Sequence, residues 1–246
     1  MQKLKDKVAL VTGGSRGMGA AIVKQLASEG ATVSFTYING KEKAEALVNE
    51  LAAEGLKVSA IKANNAVDGE IAAALAETVN QFGKLDILVN NAGIYSGKPM
   101  AEHTLNDYRE TMDINVKAVF EAAIFAAQKM ADHGRFITIG SNMADRVVAA
   151  QGTLYSMSKS ALVGLTKGLA RDLGSKGITV NLVQPGPTNT DMNPDNGDHA
   201  ERAKKQMAIP KYGNAQQIAD LVSYLANPSA SFTTGSIITI DGGFNS

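Results

Sequence analysis

The run Val8-Ala9-Leu10-Val11 leads directly into Thr12-Gly13-Gly14-Ser15-Arg16-Gly17-Met18-Gly19, and Ile22, Val23 and Leu26 then recur at helical spacing. A strand, a tight glycine turn and a helix start in that order leave few folds open. The aliphatic run has no polar alternation, as expected of a strand with helices over both sheet faces. Glycines adopt main-chain angles that other residues resist, and they let the chain approach a ligand closely. The free N–H groups and positive dipole end of the following helix then face an anion. In a strand–turn–helix context this pattern points to the pyrophosphate of a dinucleotide. Gly13, Ser15, Arg16, Gly17, Met18 and Gly19 are the candidate contacts.

The alternation continues to the end of the chain. Strands are predicted near 7–12, 32–37, 57–61, 85–89, 135–140, 178–184 and 236–240. Helices are predicted near 17–29, 41–54, 69–82, 104–133, 153–174 and 214–226, the last opened by Asn214 with Gln217 as a capping box. Strands separated by helices run parallel with right-handed crossovers. The expectation is an α/β fold, a doubly wound parallel sheet of about seven strands with helices on both faces. Ligands of such sheets bind beyond the C-terminal strand ends.

With 246 residues and no Pro/Ser-rich linker, repeat or low-complexity stretch, one α/β domain over 1–246 is the simplest account. The 24 basic and 24 acidic residues cancel, and no like-charge block stands out, so neither nucleic acid nor an anionic membrane is expected as partner. No apolar run approaches the ~18 residues of a membrane span. The basic start is followed by too short an apolar stretch for a signal peptide. The cytoplasm is the default expectation. Cysteine is absent, and His103, His133 and His199 are scattered, so no metal site is expected.

Several polar or turn-forming segments land on the same sheet edge. Asn91-Ala92-Gly93 follows the fourth strand, Ser141 the fifth, and Pro185-Gly186-Pro187-Thr188-Asn189-Thr190 the sixth. Any one of these reads as a turn asparagine, a capping serine or a proline stop. Together at strand ends they mark a site, in which Asn91, Ala92, Gly93, Pro185, Gly186, Thr188 and Thr190 are expected cofactor contacts. The helix near 153–174 adds Tyr155 and Lys159, one turn apart on one face. A nearby ammonium favours phenolate, so a lowered Tyr155 pKa is expected, suiting proton exchange near neutral pH.

With these residues assembled, the chain resembles the short-chain dehydrogenase/reductase family, in its compact form, over essentially its whole length. The likeness rests on Thr-Gly-x-x-x-Gly-x-Gly at 12–19, Asn-Asn-Ala-Gly at 90–93, Asn115, Ser141, Tyr155, Lys159, Pro185-Gly186 and Ile240-Asp241-Gly242-Gly243. It implies a Rossmann-type sheet. It also implies Tyr155 as proton donor in carbonyl reduction, Ser141 as the hydrogen-bond partner of the substrate oxygen, and Lys159 on the nicotinamide ribose. Asn115 would bind a relay water through its main chain. Ser141 precedes Tyr155 by one residue more than the family pattern, which leaves the adjacent Asn142 as the alternative.

Cofactor choice departs from the NAD pattern, in which a carboxylate about 20 residues past the turn holds the ribose 2′-OH. Here Phe35-Thr36-Tyr37-Ile38-Asn39-Gly40-Lys41 carries no acid. Arg16 and Lys41 suit a 2′-phosphate, with Tyr37 and Asn39 beside them, so NADPH is expected over NADH. Asn64, where the family usually has an aspartate, and Asn65 would meet the adenine. A polar segment at about 190–210, with Met192, Met207 and Ile209, reads as a substrate lid.

The implied activity is NADPH-dependent reduction of a ketone to a secondary alcohol. The alternatives are a 3-oxoacyl-thioester reductase proper and a non-catalytic dinucleotide-binding sensor on the same fold. A homotetramer is expected from the family. Gly164 and Gly168 in the Tyr155 helix would suit either close approach of a neighbouring subunit or packing on the sheet.

Overall fold

The computed structural model describes residues 2–246. Its main sheet has seven parallel strands in the order β3-β2-β1-β4-β5-β6-β9. These are β1 (Val8–Val11), β2 (Thr32–Tyr37), β3 (Val58–Lys62), β4 (Ile87–Asn90), β5 (Arg135–Ile139), β6 (Thr179–Pro185) and β9 (Ile237–Ile240). The central strands are aliphatic on both faces because both faces are covered. Ala9, Leu10 and Val11 are fully buried, as are Leu88 and Val89.

The two faces carry separate apolar layers. On one, α1 (Gly17–Ser28), α2 (Lys41–Ala53) and α8 (Ala215–Ala226) contribute Ile22, Leu26, Leu47 and Val222, which meet Val11, Val33 and Phe35 of the sheet. On the other, α3 (Glu70–Phe82), α5 (Ala118–Lys129) and α6 (Thr153–Leu173) contribute Leu75, Ala122 and Leu162, which meet Leu10, Leu88 and Phe136. Strand order reverses between β1 and β4, and that switch point opens a crevice at the C-terminal sheet edge.

The Asn214–Gln217 capping box forms as the spacing predicts, and Thr104 with Asp107 forms a second one at the start of α4 (Leu105–Met112). The helix predicted near 104–133 is not continuous. α4 ends at Met112, Asp113–Lys117 form a π turn, and α5 ends at Lys129. In that turn Ala118 N–H reaches back five residues to the Asp113 carbonyl. Apolar periodicity does not register a one-residue insertion of this kind, because the residues on either side still face the sheet.

The 190–210 segment holds more structure than its polarity suggests. A two-stranded parallel pair, β7 (Thr188–Asn189) and β8 (Gly213–Asn214), closes its base. Between them lies α7 (Gly197–Lys204), and Ala200, Ala203, Met207 and Tyr212 bury a small core with Phe244 near the C-terminus. Met192 and Ile209 stay exposed. No helix among the described residues is long and apolar enough to cross a membrane.

Candidate functional site

The glycine turn is stitched to its neighbours by side chains on both flanking strands. Thr12 Oγ1 accepts from the N–H groups of Asn91 and Ala92, each at 3.0 Å. Asn91 Nδ2 donates back to the carbonyls of Thr12 at 2.9 Å and Gly13 at 3.1 Å. Thr36 Oγ1 accepts from Gly13 N–H at 3.0 Å. Gly13 takes a positive φ of 66° and Gly17 one of 54°. A Cβ on Gly19 would run into the Gly13 carbonyl and stand 2.6 Å from Asn91 Nδ2. Among the described residues no side chain caps α1, so the N–H groups of its first turn are left for a ligand.

The turn forms one end of a cleft of about 570 Å³. Of the expected cofactor contacts, the cleft wall brings together the glycine-turn residues, Tyr37, Asn39, Asn65, Asn91, Ala92, Gly93, Thr190, Tyr155 and Lys159. It does not include Lys41, Asn64, Pro185, Gly186 or Thr188. Lys41 Nζ instead pairs with Glu45 one turn on, at 3.5 Å. Asn64 is folded into its own loop, accepting from Ala66 N–H at 2.9 Å and donating its main-chain N–H to Glu70 at 2.6 Å. Pro185 sits in β6 against Ile240, Gly186 N–H is tied to the Ile240 carbonyl at 3.0 Å, and Thr188 Oγ1 donates to the Gly186 carbonyl at 3.0 Å.

The cation that reaches the cleft from α2 is Lys43. It and Arg16 converge on Asp191 of the 190–210 segment, whose carboxylate lies 3.7 Å from Lys43 Nζ and 4.0 Å from Arg16 Nη1. Sequence spacing alone pointed to Lys41 because it comes first after the strand. The helical period puts Lys41 and Lys43 on opposite flanks of the buried Ala44, Leu47 and Leu51 face, so no signal in the sequence chose between them.

At the other end of the cleft lie Tyr155 and Lys159. Burial pushes the Tyr155 phenol above its ordinary value, a hydrogen bond with Ser141 pulls it back down, and the neighbouring Tyr95 raises it further. The lowering expected from Lys159 is not found. Lys159 Nζ lies 5.7 Å from the Tyr155 ring centroid and donates to the Ile139 carbonyl at 3.0 Å. Burial brings Lys159 itself down to about 8, with no carboxylate beside it. Tyr95 meets the Tyr155 ring edge-on, the centroids 5.0 Å apart.

Ser141 and Asn142 part ways at the end of β5. Ser141 interacts with Tyr155, and its Oγ accepts from Met143 N–H at 3.2 Å. Asn142 turns away and is held by Asp241 and Asn245, each at 3.3 Å from its Nδ2. The geometry therefore favours Ser141 over Asn142 as the group facing the phenol.

Asn115 lies within the π turn and is 1% exposed. Its amide is fully engaged. Oδ1 accepts from Ile94 N–H at 2.9 Å, while Nδ2 donates to the Ile94 carbonyl and Ser158 Oγ, both at 3.0 Å. The side chain thus pins the loop after β4 to α6, leaving only the main chain for other partners.

This arrangement fits a nicotinamide dinucleotide. The cradle has no room for a Cβ at Gly14 or Gly19, uncapped helix N–H groups suit phosphates, and Lys159 spends one of its three N–H donors on protein. Comparison with known proteins agrees. A family model described as enoyl-(acyl carrier protein) reductase matches residues 13–245. A short-chain dehydrogenase/reductase structure from Serratia marcescens is 52% identical, covers 99% of this chain and 100% of its own, and superposes with a TM-score of 0.98. A Burkholderia cenocepacia short-chain dehydrogenase in complex with NADP is 47% identical, with 99% and 100% coverage and a TM-score of 0.97. An Escherichia coli protein named cyclic-di-GMP-binding biofilm dispersal mediator is 41% identical over 244 residues, 99% of each chain. In fold, motif order and full-length similarity, the chain belongs to the short-chain dehydrogenase/reductase family.

Proposed function

We propose that residues 1–246 form one dinucleotide-binding unit that reduces a ketone to a secondary alcohol with NADPH. One observation carries this reading. The Tyr155 phenol, paired with Ser141, opens on the same cleft as the glycine turn and the buried Lys159 ammonium. A reduced nicotinamide bound there would supply hydride to the carbonyl carbon. Ser141 hydrogen-bonds the carbonyl oxygen and stabilises the charge that develops on it. Tyr155, its pKa raised by burial, stays protonated at neutral pH and donates its proton to that oxygen, a far stronger base as alkoxide than phenolate. Lys159 directs its remaining N–H donors to the ribose hydroxyls. The main chain of the π turn at Asn115 holds the water that returns a proton.

The NADPH preference rests on Arg16 and Lys43 at the cleft mouth and on the absence of an acid between Phe35 and Lys41. Phe120 and Ile124 of α5 and Met157 of α6 are exposed, and a Cβ at Gly164 or Gly168 would meet nothing within 4 Å. Those glycines therefore do not serve packing on the sheet. This open apolar face supports a homotetramer, and a monomer by sedimentation would contradict it.

The test is oxidation of NADPH, and separately of NADH, against an acetoacetyl thioester, β-keto esters, aryl ketones and α-diketones. Turnover of ketones with NADPH well above NADH supports the reading. Turnover dominated by the thioester selects the 3-oxoacyl-thioester reductase. The Escherichia coli relative keeps the sensor reading in play, and tight NADPH binding without any turnover would favour it.

A further inference from the structure

The C-terminal segment Asp241–Asn245 touches two elements that are far apart in sequence. On one side lies the loop that carries Ser141. Asn245 Nδ2 donates to the main-chain carbonyl of Asn142 at 2.7 Å, and Asn142 Nδ2 donates back to Asn245 Oδ1 at 3.3 Å. Asp241 Oδ2 accepts from Asn142 Nδ2 at 3.3 Å and from Asn245 N–H at 3.0 Å. Arg146 Nη1 donates to the Phe244 carbonyl at 2.9 Å.

On the other side lies the 190–210 segment. Ile209 N–H donates to the Gly242 carbonyl at 2.9 Å, and Phe244 fills the core made by Ala200, Ala203, Met207 and Tyr212. The contact is close. A Cβ on Gly242 would stand 2.8 Å from Met207 Cε, and one on Gly243 would stand 2.6 Å from Ala208 Cβ.

We infer that Asn245 is a positioning residue for Ser141, and that the C-terminal segment is the strut through which the 190–210 lid and the catalytic serine are held in one arrangement. This rests on the carbonyl-reductase reading. The loop from Ser141 to Tyr155 is one residue longer than the family pattern, so it needs an anchor beyond its strand and helix. The Asn142 carbonyl and amide, one residue from Ser141, supply the anchorage. Displacing Asn142 rotates the adjacent Ser141 hydroxyl away from the Tyr155 phenol. A misplacement of about 1 Å at a reacting oxygen can cost about 10²-fold in rate.

The test is a double-mutant cycle on the full chain with NADPH and the best ketone of the panel. Asn245→Ala is expected to lower kcat roughly tenfold while leaving NADPH affinity within about twofold. In Ser141→Ala the Asn245→Ala change should then cost little more, because the group it positions is gone. A kcat loss of equal factor in both backgrounds would overturn the inference, and so would unchanged kcat in Asn245→Ala. Asn245→Asp, which keeps size but loses the donor to Asn142, serves if the alanine variant does not fold. Amide hydrogen exchange separates this inference from the activity reading. Faster exchange at Met143–Arg146 in the Asn245 variants is expected whether or not any ketone is turned over, and unchanged exchange there would overturn the strut.

Discussion

The two ends of the cleft are built differently. The phosphate end comes from one continuous stretch, β1 through the start of α2, with cross-ties from Asn91 and Ala92. The Tyr155 end collects Tyr155 and Lys159 from α6, Ser141 from the end of β5, Asn115 from the π turn and the C-terminal segment from beyond β9. A locally built end presents several main-chain N–H groups together, so loss of one side chain weakens it without removing it. A distantly assembled end depends on single side chains, so on the proposed mechanism loss of one should remove a chemical step. Variants at the two ends should therefore separate binding from turnover.

Tyr155→Phe is expected to have the largest effect, lowering kcat about 10²- to 10⁴-fold with NADPH affinity nearly unchanged by fluorescence titration. Survival of turnover would remove the asymmetry between the ends. Next comes the pH dependence. Because burial raises Tyr155, ketone reduction should be flat through neutral pH, while alcohol oxidation, which needs the phenolate, should climb about tenfold per pH unit across the neutral and mildly alkaline range. An oxidation rate already at its plateau at neutral pH would contradict this.

At the other end, Arg16→Ala and Lys43→Ala should each weaken NADPH roughly tenfold and leave NADH almost unaffected, by parallel titrations. Lys41→Ala should change neither by as much as twofold, since Lys41 is spent on Glu45 at an exposed pair. Equal effects of Lys41 and Lys43 would undo the assignment made from α2.

The smallest signal concerns stability. Lys159 falls from 10.5 to about 8 in the folded protein. At this site the folded state then binds fewer protons than the unfolded state between those values, so the Lys159 contribution to stability rises with pH across about 8 to 10.5. By chemical denaturation of the ligand-free proteins, Lys159→Met should be the more stable at neutral pH, and its advantage over the wild type should shrink across that range, the opposing raised Tyr155 being common to both.

The phosphate end was legible in sequence to the extent that it is local. The order of strand, glycine turn and helix specified Gly13 through Gly19, and helical periodicity specified the Tyr155–Lys159 face. Where side-chain direction mattered, local order misled. Lys41 and Lys43 flank the buried face of the same helix on opposite sides, and only the tertiary structure decides that the Lys43 flank borders the cleft. Thr36, which braces the turn by accepting from Gly13 N–H, was not singled out because a strand threonine has no distinctive spacing. The π turn at Asp113–Lys117 escaped notice because apolar periodicity survives it.

The sequence by itself determined the strand order of chemistry along the chain, the covered parallel sheet, the glycine turn and the helix face that carries Tyr155 and Lys159. Those features follow from hydrophobic period, glycine conformation and helix geometry, all of which act over a few residues. Only the tertiary structure decided that Tyr155 is raised rather than lowered, that Ser141 rather than Asn142 meets it, and that Asn245 holds the loop between them. Burial of Tyr155 with Ser141 and Tyr95 beside it, and hydrogen bonds between Asn142 and Asn245 across 103 residues of chain, set those outcomes, and neither is visible until the fold brings the partners together.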